Sequence, residues 1–329
     1  MKLNDIYQMA VELGKAYDVR GVRIEYLLQD KKKSFDKLSD SDKAYFDPEE
    51  LHNPYHDCRI LHGIPETEIQ TVFCGIDMET PEIILADRLR ERGQQIDLVL
   101  AHHPEGIAQA AMHEVLKLQS DLLEKFGVPI NVAESILASR ISEVKRGMAP
   151  LNHQRAVDAA RLLNLPFMCV HTPADNLAAF YLQKFLDGEN PTSLSELIDL
   201  LHTIPEYQTA RRLKAGPALL VGEKKRRPGR ILVKFSGGTS GPEKAFEKMA
   251  QAGVGTYVCM HIPDKHRQAA RENHVNVIVA GHMASDSLGM NLFLDHLEQR
   301  GIKIIAGSGL IRVRRDSESG LELPNSTKI

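Results

Sequence analysis

Apolar and polar positions fall along this chain in blocks that read as strand, helix, strand. TVFCGID, from Thr71, is a short apolar run closed by Gly and Asp, the pattern of a buried strand. TPEIILADRLRERG follows with helical spacing: Thr80 is placed to cap it, Pro81 suits the first turn and Gly93 the stop. IDLVLAHHPEG is a second apolar strand, ending in two histidines. This order is the βαβ unit of a parallel sheet. RILVKFSGGTSGPEKAFEKMAQAGVGTYVCMHIPDKH repeats it: strand, Gly-rich turn, helix, Gly stop, strand ending in His. One shift of the numbering lays Val72 on Ile231, Ala86 on Ala245, Val99 on Val258, His102 on His261 and Pro104 on Pro263. That points to an internal duplication. The predicted fold is α/β, with two similar α/β lobes built on a duplicated βαβ-containing unit. The first lobe is drawn at 1–190, with an N-terminal extension and a helical insert, and the second at 191–329.

The remaining elements are read more coarsely. Residues 1–17 predict a helix with Ile6, Met9, Ala10, Leu13 and Tyr17 on one stripe. QDKKKSFDKLSDSDKAYFDPEELHNPYHDC is polar and rich in both charges, and reads as loop with short helical turns. Residues 107–126, 131–165, 176–186 and 193–202 read as helical. A basic run at 224–227, with Arg230, is a hairpin or loop in one reading and a phosphate-attracting rim in the other.

Composition narrows the function classes. A length of 329 residues suggests about two domains. A net charge of -3 supplies no field for nucleic acid, and the absence of Trp with only 5% aromatic residues leaves few stacking platforms, so nucleic acid is not expected as a partner. No apolar run approaches the roughly 20 residues of a membrane span. The first residues lack the apolar core of a signal peptide, so a cytoplasmic protein is expected. Cys58, Cys74, Cys169 and Cys259 are scattered, which fits reduced, buried thiols and not a thiolate metal site.

Histidine is the residue type that stands out. Four apolar strands end in it: LVLAHH at His102 and His103, FMCVH at His171, YVCMH at His261, and VNVIVAGH at His282. Ligands of open α/β sheets bind outside the carboxyl ends of the strands, so imidazoles placed there converge on shared crevices. Carboxylates accompany them: Glu105 follows His103, Asp175 lies four residues after His171, and Asp286 four after His282. His and Asp at that spacing share one face if the segment is helical, so His282 and Asp286 can reach one cation. Imidazole and carboxylate without thiolate suit Zn, Mn, Fe, Co or Ni, and several of each can hold two metals. His102 and His103 can splay toward different metals at a strand end, or one can point into the core.

DMETPEIILADRLRERGQQIDLVLAHHPEG, VHTPADN and VIVAGHMASDSLGMNLFLDHLEQRGIKII together resemble the NIF-three family (NGG-one-interacting factor three), also labelled GTP cyclohydrolase I type 2 homologues. DCRILHG resembles that family's motif before its first core strand, and the likeness runs from about Asp57 to about Arg314. The resemblance implies two similar α/β lobes, two divalent metal ions bound between them, and a toroidal homohexamer. It implies metal ligands at His102, His103, Asp175, His282 and Asp286, with His171 behind them or in proton transfer. His266 matches a histidine of the family's second lobe. Three departures stand out. Asp286 replaces a Glu, an arm one methylene shorter; Pro173 replaces an Asn; and Glu105 replaces a bulky apolar residue.

Three functions follow as expectations. The first is a metal-dependent hydrolase acting on a phosphorylated or nucleotide-like small molecule, with His171 or Glu105 transferring protons and the 224–227 run assisting an anionic substrate. The second is a non-catalytic metal-binding scaffold or regulatory interaction protein, which the short Asp286 arm favours. The third is nucleotide binding without metal at SGGTSGPEK, where a turn between strand and helix can cradle phosphate. No G-x-S-x-G motif is present, and Cys169 and Cys259 read as core.

Overall fold

The computed structural model describes residues 1–315. Two sheets organise it. The first holds β1 (Cys58–His62), β2 (Thr71–Gly75), β3 (Leu98–Ala101), β4 (Phe167–Val170) and β9 (Lys303–Ala306), in the order β1-β4-β3-β2-β9. The second holds β5 (Ala218–Val221), β6 (Arg230–Lys234), β7 (Val254–Cys259) and β8 (Asn276–Val279), in the order β5-β8-β7-β6. β1 and β5 run antiparallel to β4 and β8, and every other pairing is parallel. The second order thus repeats the first without β9, as a duplication requires. β2, β3 and β4 are buried throughout, which is why they read as continuous apolar runs and not as alternation.

Two segments cross the division drawn at residue 190. β9 pairs with β2 in the first sheet, Thr71 facing Lys303 and Phe73 facing Ile305. Helices Leu118–Lys125 and Ile130–Met148 lie in the other direction: Leu123, Phe126, Ala133 and Leu137 share one core with Leu232 and Val277 of the second sheet and with Phe246 and Met249 of helix Ala245–Gln251. A third cluster, with Ile83, Ala86, Val99, Ala156, Phe167 and Cys169, packs the outer face of the first sheet.

Several local readings need correction. Residues 29–36, expected as loop with short helical turns, belong to a full helix, Arg23–Asp36; only Ile24 on it is buried, so there is almost no apolar period to read. Helix Thr80–Glu91 is capped by Glu79, not Thr80, because the Glu82 carboxylate accepts from the Glu79 N–H at 3.0 Å. The helical stretch 107–126 is three short helices, Gly106–Ala110, Met112–Val115 and Leu118–Lys125. Helix Leu3–Ala16 forms with Ile6, Ala10 and Leu13 buried, and Tyr17 past its end stacks on Phe180 at 4.8 Å.

The basic run at 224–227 precedes β6, so it lies at the amino end of the parallel strands. β5 and β6 are at opposite edges, which rules out a hairpin between them. The histidines leave from the carboxyl ends, about 16 Å away along a five-residue strand. The reading of this run as a phosphate-attracting rim of the site is overturned. Among the described residues no helix is long and apolar enough to cross a membrane.

Candidate metal centre

Strand ends and helix starts assemble the site. β3 continues into His102 and His103, whose backbone N–H groups donate to Gly75 and Ile76 at 3.0 and 2.9 Å. β4 ends at Val170, His171 caps helix Thr172–Glu189, and Asp175 sits one turn in. β8 leads through Gly281 to helix His282–Glu298, which carries Asp286 one turn in. Gly281 has φ +110°, and a Cβ there would lie 2.6 Å from the Ala215 carbonyl oxygen, so only glycine makes this turn. The segment is helical, and His282 Nε2 lies 3.5 Å from Asp286 Oδ2 on one face. The two helices pack against each other, bringing carboxylates of both Asp175 and Asp286 up to the same nitrogen of His102. Gly289 makes that approach, with backbone so close that a Cβ would lie 2.2 Å from the Ala174 carbonyl oxygen.

His102 is fully buried. Its Nδ1 donates to the Val170 carbonyl at 3.0 Å, leaving Nε2 to face Asp175 Oδ1 at 3.5 Å and Asp286 Oδ1 at 3.6 Å. His103 Nε2 faces the other oxygen, Asp286 Oδ2, at 3.4 Å. The short arm of Asp286 therefore presents one oxygen to His102 and the other to His103 and His282. Both adjacent histidines reach the cluster, and neither is lost to the core.

Two carboxylates that sequence reasoning did not single out for a role hold these rings. Asp77 Oδ1 accepts from His103 Nδ1 at 2.6 Å. Asp57 Oδ2 accepts from His171 Nδ1 at 2.7 Å and from the Thr172 hydroxyl at 2.6 Å. An imidazole fixed through one nitrogen by a carboxylate or carbonyl is the usual support of a metal ligand. Asp77 closes the run TVFCGID, level with the two histidines of the neighbouring strand, and that placement was the available signal.

The donor set fits a cation. His102 Nε2, Asp175 Oδ1 and both oxygens of Asp286 are buried without any hydrogen-bond partner. Buried polar atoms left this way mark a missing ligand. Three groups have ligand atoms within 4.8 Å of one another: His102, His103, His171; His103, His282, Asp286; and His102, Asp175, Asp286. Without a cation, protons balance the charge. Burial works against charge on His102, but Asp286 and Asp175 outweigh it and raise the ring to about 10. Burial likewise opposes His103, and its contacts with Asp286 and Asp77 raise it to about 9. Asp286 is also penalised by burial, yet His102, His103 and His282 hold its carboxyl far below the usual range.

Other predicted residues lie outside this cluster. Glu105 lines a separate cavity with Glu79, Gln109 and Arg155, and burial, then Glu79, pushes its carboxyl up to about 7. It is not brought among the histidines and carboxylates. His261 emerges after β7 with its ring 4.9 Å from that of His282. His266 Nε2 donates to the Gly241 carbonyl at 2.7 Å. Burial pushes the Cys169 and Cys259 thiols up to about 12, as core residues. Lys234, which closes β6, lines the crevice with His171, Asp175, His261 and His282 and was not foreseen. A roomier apolar cavity of about 340 Å³, between Tyr17, Leu118, Phe126 and Phe180, contains no comparable donor set. Asp18 on its wall is spent on Arg20, Tyr55 and Asn176.

No family model matches the chain, and no curated protein does. Solved structures do. A NIF3 superfamily protein from Sphaerobacter thermophilus is 28% identical, with a TM-score of 0.69, over 79% of this chain and 94% of that one. Reduced HcgD from Methanocaldococcus jannaschii is 14% identical over 81% of this chain and 94% of its own, with a TM-score of 0.49. A Bacillus cereus protein related to NIF3 is 10% identical over 76% and 90%, with a TM-score of 0.37. The fold assignment rests on the first of these.

Proposed function

The chain has the NIF3 superfamily fold, and from that premise we propose that it is a dinuclear-metal hydrolase acting on a phosphorylated or nucleotide-like small molecule. The observation that carries this reading is Asp286, whose two unpartnered oxygens face His102 on one side and His103 with His282 on the other. One cation would be held by His102, Asp175 and Asp286, the other by His103, His282 and Asp286. Zn, Mn, Fe, Co and Ni all suit this donor set. Two such cations supply an acidified water and polarisation of a phosphoryl oxygen.

The chain's own residues do the rest. Asp57 holds a proton on Nδ1 of His171, so His171 meets the crevice through Nε2 and takes or returns a proton there. Val170 and Asp77 fix the His102 and His103 rings so that both present Nε2. His102, His171, Asp175 and Asp286 are buried, which keeps bulk water from screening their charges. The four cysteines are free and buried, in keeping with a reducing cytoplasm. The homohexamer belongs to the same proposal; exposed Val22, Tyr26 and Tyr45 supply apolar surface for self-association, and light scattering tests it.

The test is metal content by mass spectrometry on untagged protein, followed by a phosphomonoester and nucleotide hydrolysis screen with the metal found. About two equivalents per chain, lost in a His102→Ala, His282→Ala variant, together with turnover, are expected. A protein that takes up no Zn or Mn refutes the reading. Full occupancy without turnover across the panel establishes the non-catalytic scaffold instead.

A further inference from the structure

The Gly-rich segment after β6 has an unusual distribution of hydrogen bonds. Its carbonyls are pinned by side chains. Gln119 Nε2 donates to Gly237 and Thr239 at 2.6 and 2.7 Å, Arg140 to Ser240 at 3.0 Å, and His266 to Gly241 at 2.7 Å. Its N–H groups are not used: none of the backbone amides of residues 237–241 donates to any described residue. The Thr239 and Ser240 hydroxyls also make no hydrogen bond among the described residues. Gly237 and Gly238 sit at φ +96° and +75°, a left-handed stretch of backbone that favours glycine. A Cβ at Gly237 would lie 2.6 Å from the Gln119 side chain, so the segment is packed in place.

Lys234 stands beside this segment. Its ammonium gives one hydrogen bond, to the Thr239 carbonyl at 2.9 Å, and has no carboxylate within ion-pair distance among the described residues. Lys234, Gly238, Thr239 and Ser240 line one crevice with His171, Asp175, His261 and His282. A cation without a counter-ion, beside a row of free N–H groups, is a combination that selects a tetrahedral oxyanion.

We propose that Lys234 and the backbone N–H groups of residues 237–241 form a phosphoryl-binding subsite that seats the substrate's phosphate against the imidazole–carboxylate cluster. The choice of substrate class rests on the hydrolase reading above. The subsite itself does not, because none of its donors belongs to the cluster. Lys234 is a positioning residue: it holds the anion, and the cluster acts on it. The third sequence reading, phosphate cradled at SGGTSGPEK, is thereby joined to the metal centre and is no longer its rival.

Inorganic phosphate is the probe. It is titrated calorimetrically into chelator-stripped protein: wild type, Lys234→Met, Lys234→Arg and Lys224→Met. The wild type binds phosphate. Lys234→Met weakens binding by about tenfold or more, the value of a charge-assisted hydrogen bond. Lys234→Arg restores most of it, Lys224→Met, at the opposite end of the sheet, leaves it unchanged, and acetate at equal concentration does not compete. Phosphate also shifts the amide resonances of Gly238, Thr239 and Ser240 in the wild-type spectrum, a readout independent of whether the Met variant folds. Stripped wild type that binds no phosphate, or a folded Lys234→Met that binds it unchanged, overturns the subsite. Phosphate bound with no metal taken up leaves the subsite standing and removes the hydrolase. Metal-dependent turnover with amides that ignore phosphate does the reverse.

Discussion

Replacing Gly289 by Ala tests the helix crossing on which the metal centre depends. In an ordinary helix the change is favourable by about 1 kcal/mol, because Ala loses less backbone entropy than Gly. Here the added Cβ would lie 2.2 Å from the Ala174 carbonyl oxygen and 2.8 Å from its carbon. Carbon and oxygen approach no closer than about 3.3 Å even in a weak C–H···O contact, so the two helices must part by about 1 Å. The obstacle is backbone and cannot rotate away. Overpacking of this kind costs about 1–3 kcal/mol, and a clash against main chain belongs at the upper end. Net of propensity, Gly289→Ala should destabilise by about 2 kcal/mol. The site should suffer more. Asp175 and Asp286 ride on the parting helices, and ligand distances tolerate only about 0.2 Å. Metal affinity, read by chelator competition, should fall by about tenfold or more. Denaturant unfolding gives the stability term. Gly147→Ala, in helix Ile130–Met148 with nothing near its added Cβ, is the control and should gain up to about 1 kcal/mol. A Gly289→Ala protein that gains stability as Gly147→Ala does, with full metal uptake, refutes the crossing.

Asp57→Asn removes the charge that orients His171 and should lower metal affinity or turnover by about 10–100-fold; unchanged values for both would make Asp57 a packing residue only. The chelated protein should show a pH window. His102 and His103 are raised from 6.5 to about 10 and about 9, so their contribution is complete below about pH 6.5 and drains away as pH rises through 9 to 10. Asp286 is depressed from 3.8, so its contribution is present above about pH 4 and lost on acidification. Bound metal replaces the two imidazole protons; its uptake at pH 7 should release about two protons, seen by calorimetry in buffers of different ionisation enthalpy, and zero release would contradict the assignment. Arg315→Met strands the fully buried Glu206 carboxylate, whose remaining partner is Asn291, and should cost about 3–5 kcal/mol in denaturant unfolding; a loss under about 1 kcal/mol would show that water reaches Glu206.

The features that were legible in the chain are those with a local period or a local terminator. β2, β3, β4, β7 and β8 are apolar runs closed by Gly, Asp or His, and their ends place the imidazoles without further information. His282 and Asp286 declare their shared face by spacing alone. Helix Arg23–Asp36 has no such period, because a single buried side chain leaves its sequence indistinguishable from a charged loop. Asp57, Asp77 and Lys234 were missed for another reason. Asp57 and Lys234 act across long stretches of chain, Asp57 on His171 and Lys234 on a crevice shared with His282, and no short sequence window contains both partners; Asp77 needed the strand register that sets it level with His103. Glu105 shows the converse: proximity in sequence to His103 did not bring it into the cluster, and its carboxylate lines the next cavity with Glu79 and Arg155. The basic run at 224–227 looked like a partner for an anion until strand direction put it at the wrong end of the sheet.

The return of the last strand to the first sheet has a consequence for how the molecule is made. Chains emerge from the ribosome amino end first, and domains ordinarily fold in that order. Here β2 lacks its outer neighbour until Lys303–Ala306 has been synthesised, after every strand of the second sheet. Helix His282–Glu298, with two of the metal-facing side chains, arrives just before it. The first lobe therefore cannot mature ahead of the second, and the candidate metal centre is incomplete on a nascent first half. A fragment ending near residue 190 would carry an open edge at β2 and three imidazoles with no Asp286 to face them. Such a fragment should aggregate through that edge, and separating the two lobes for study takes two cuts and a graft of the final strand.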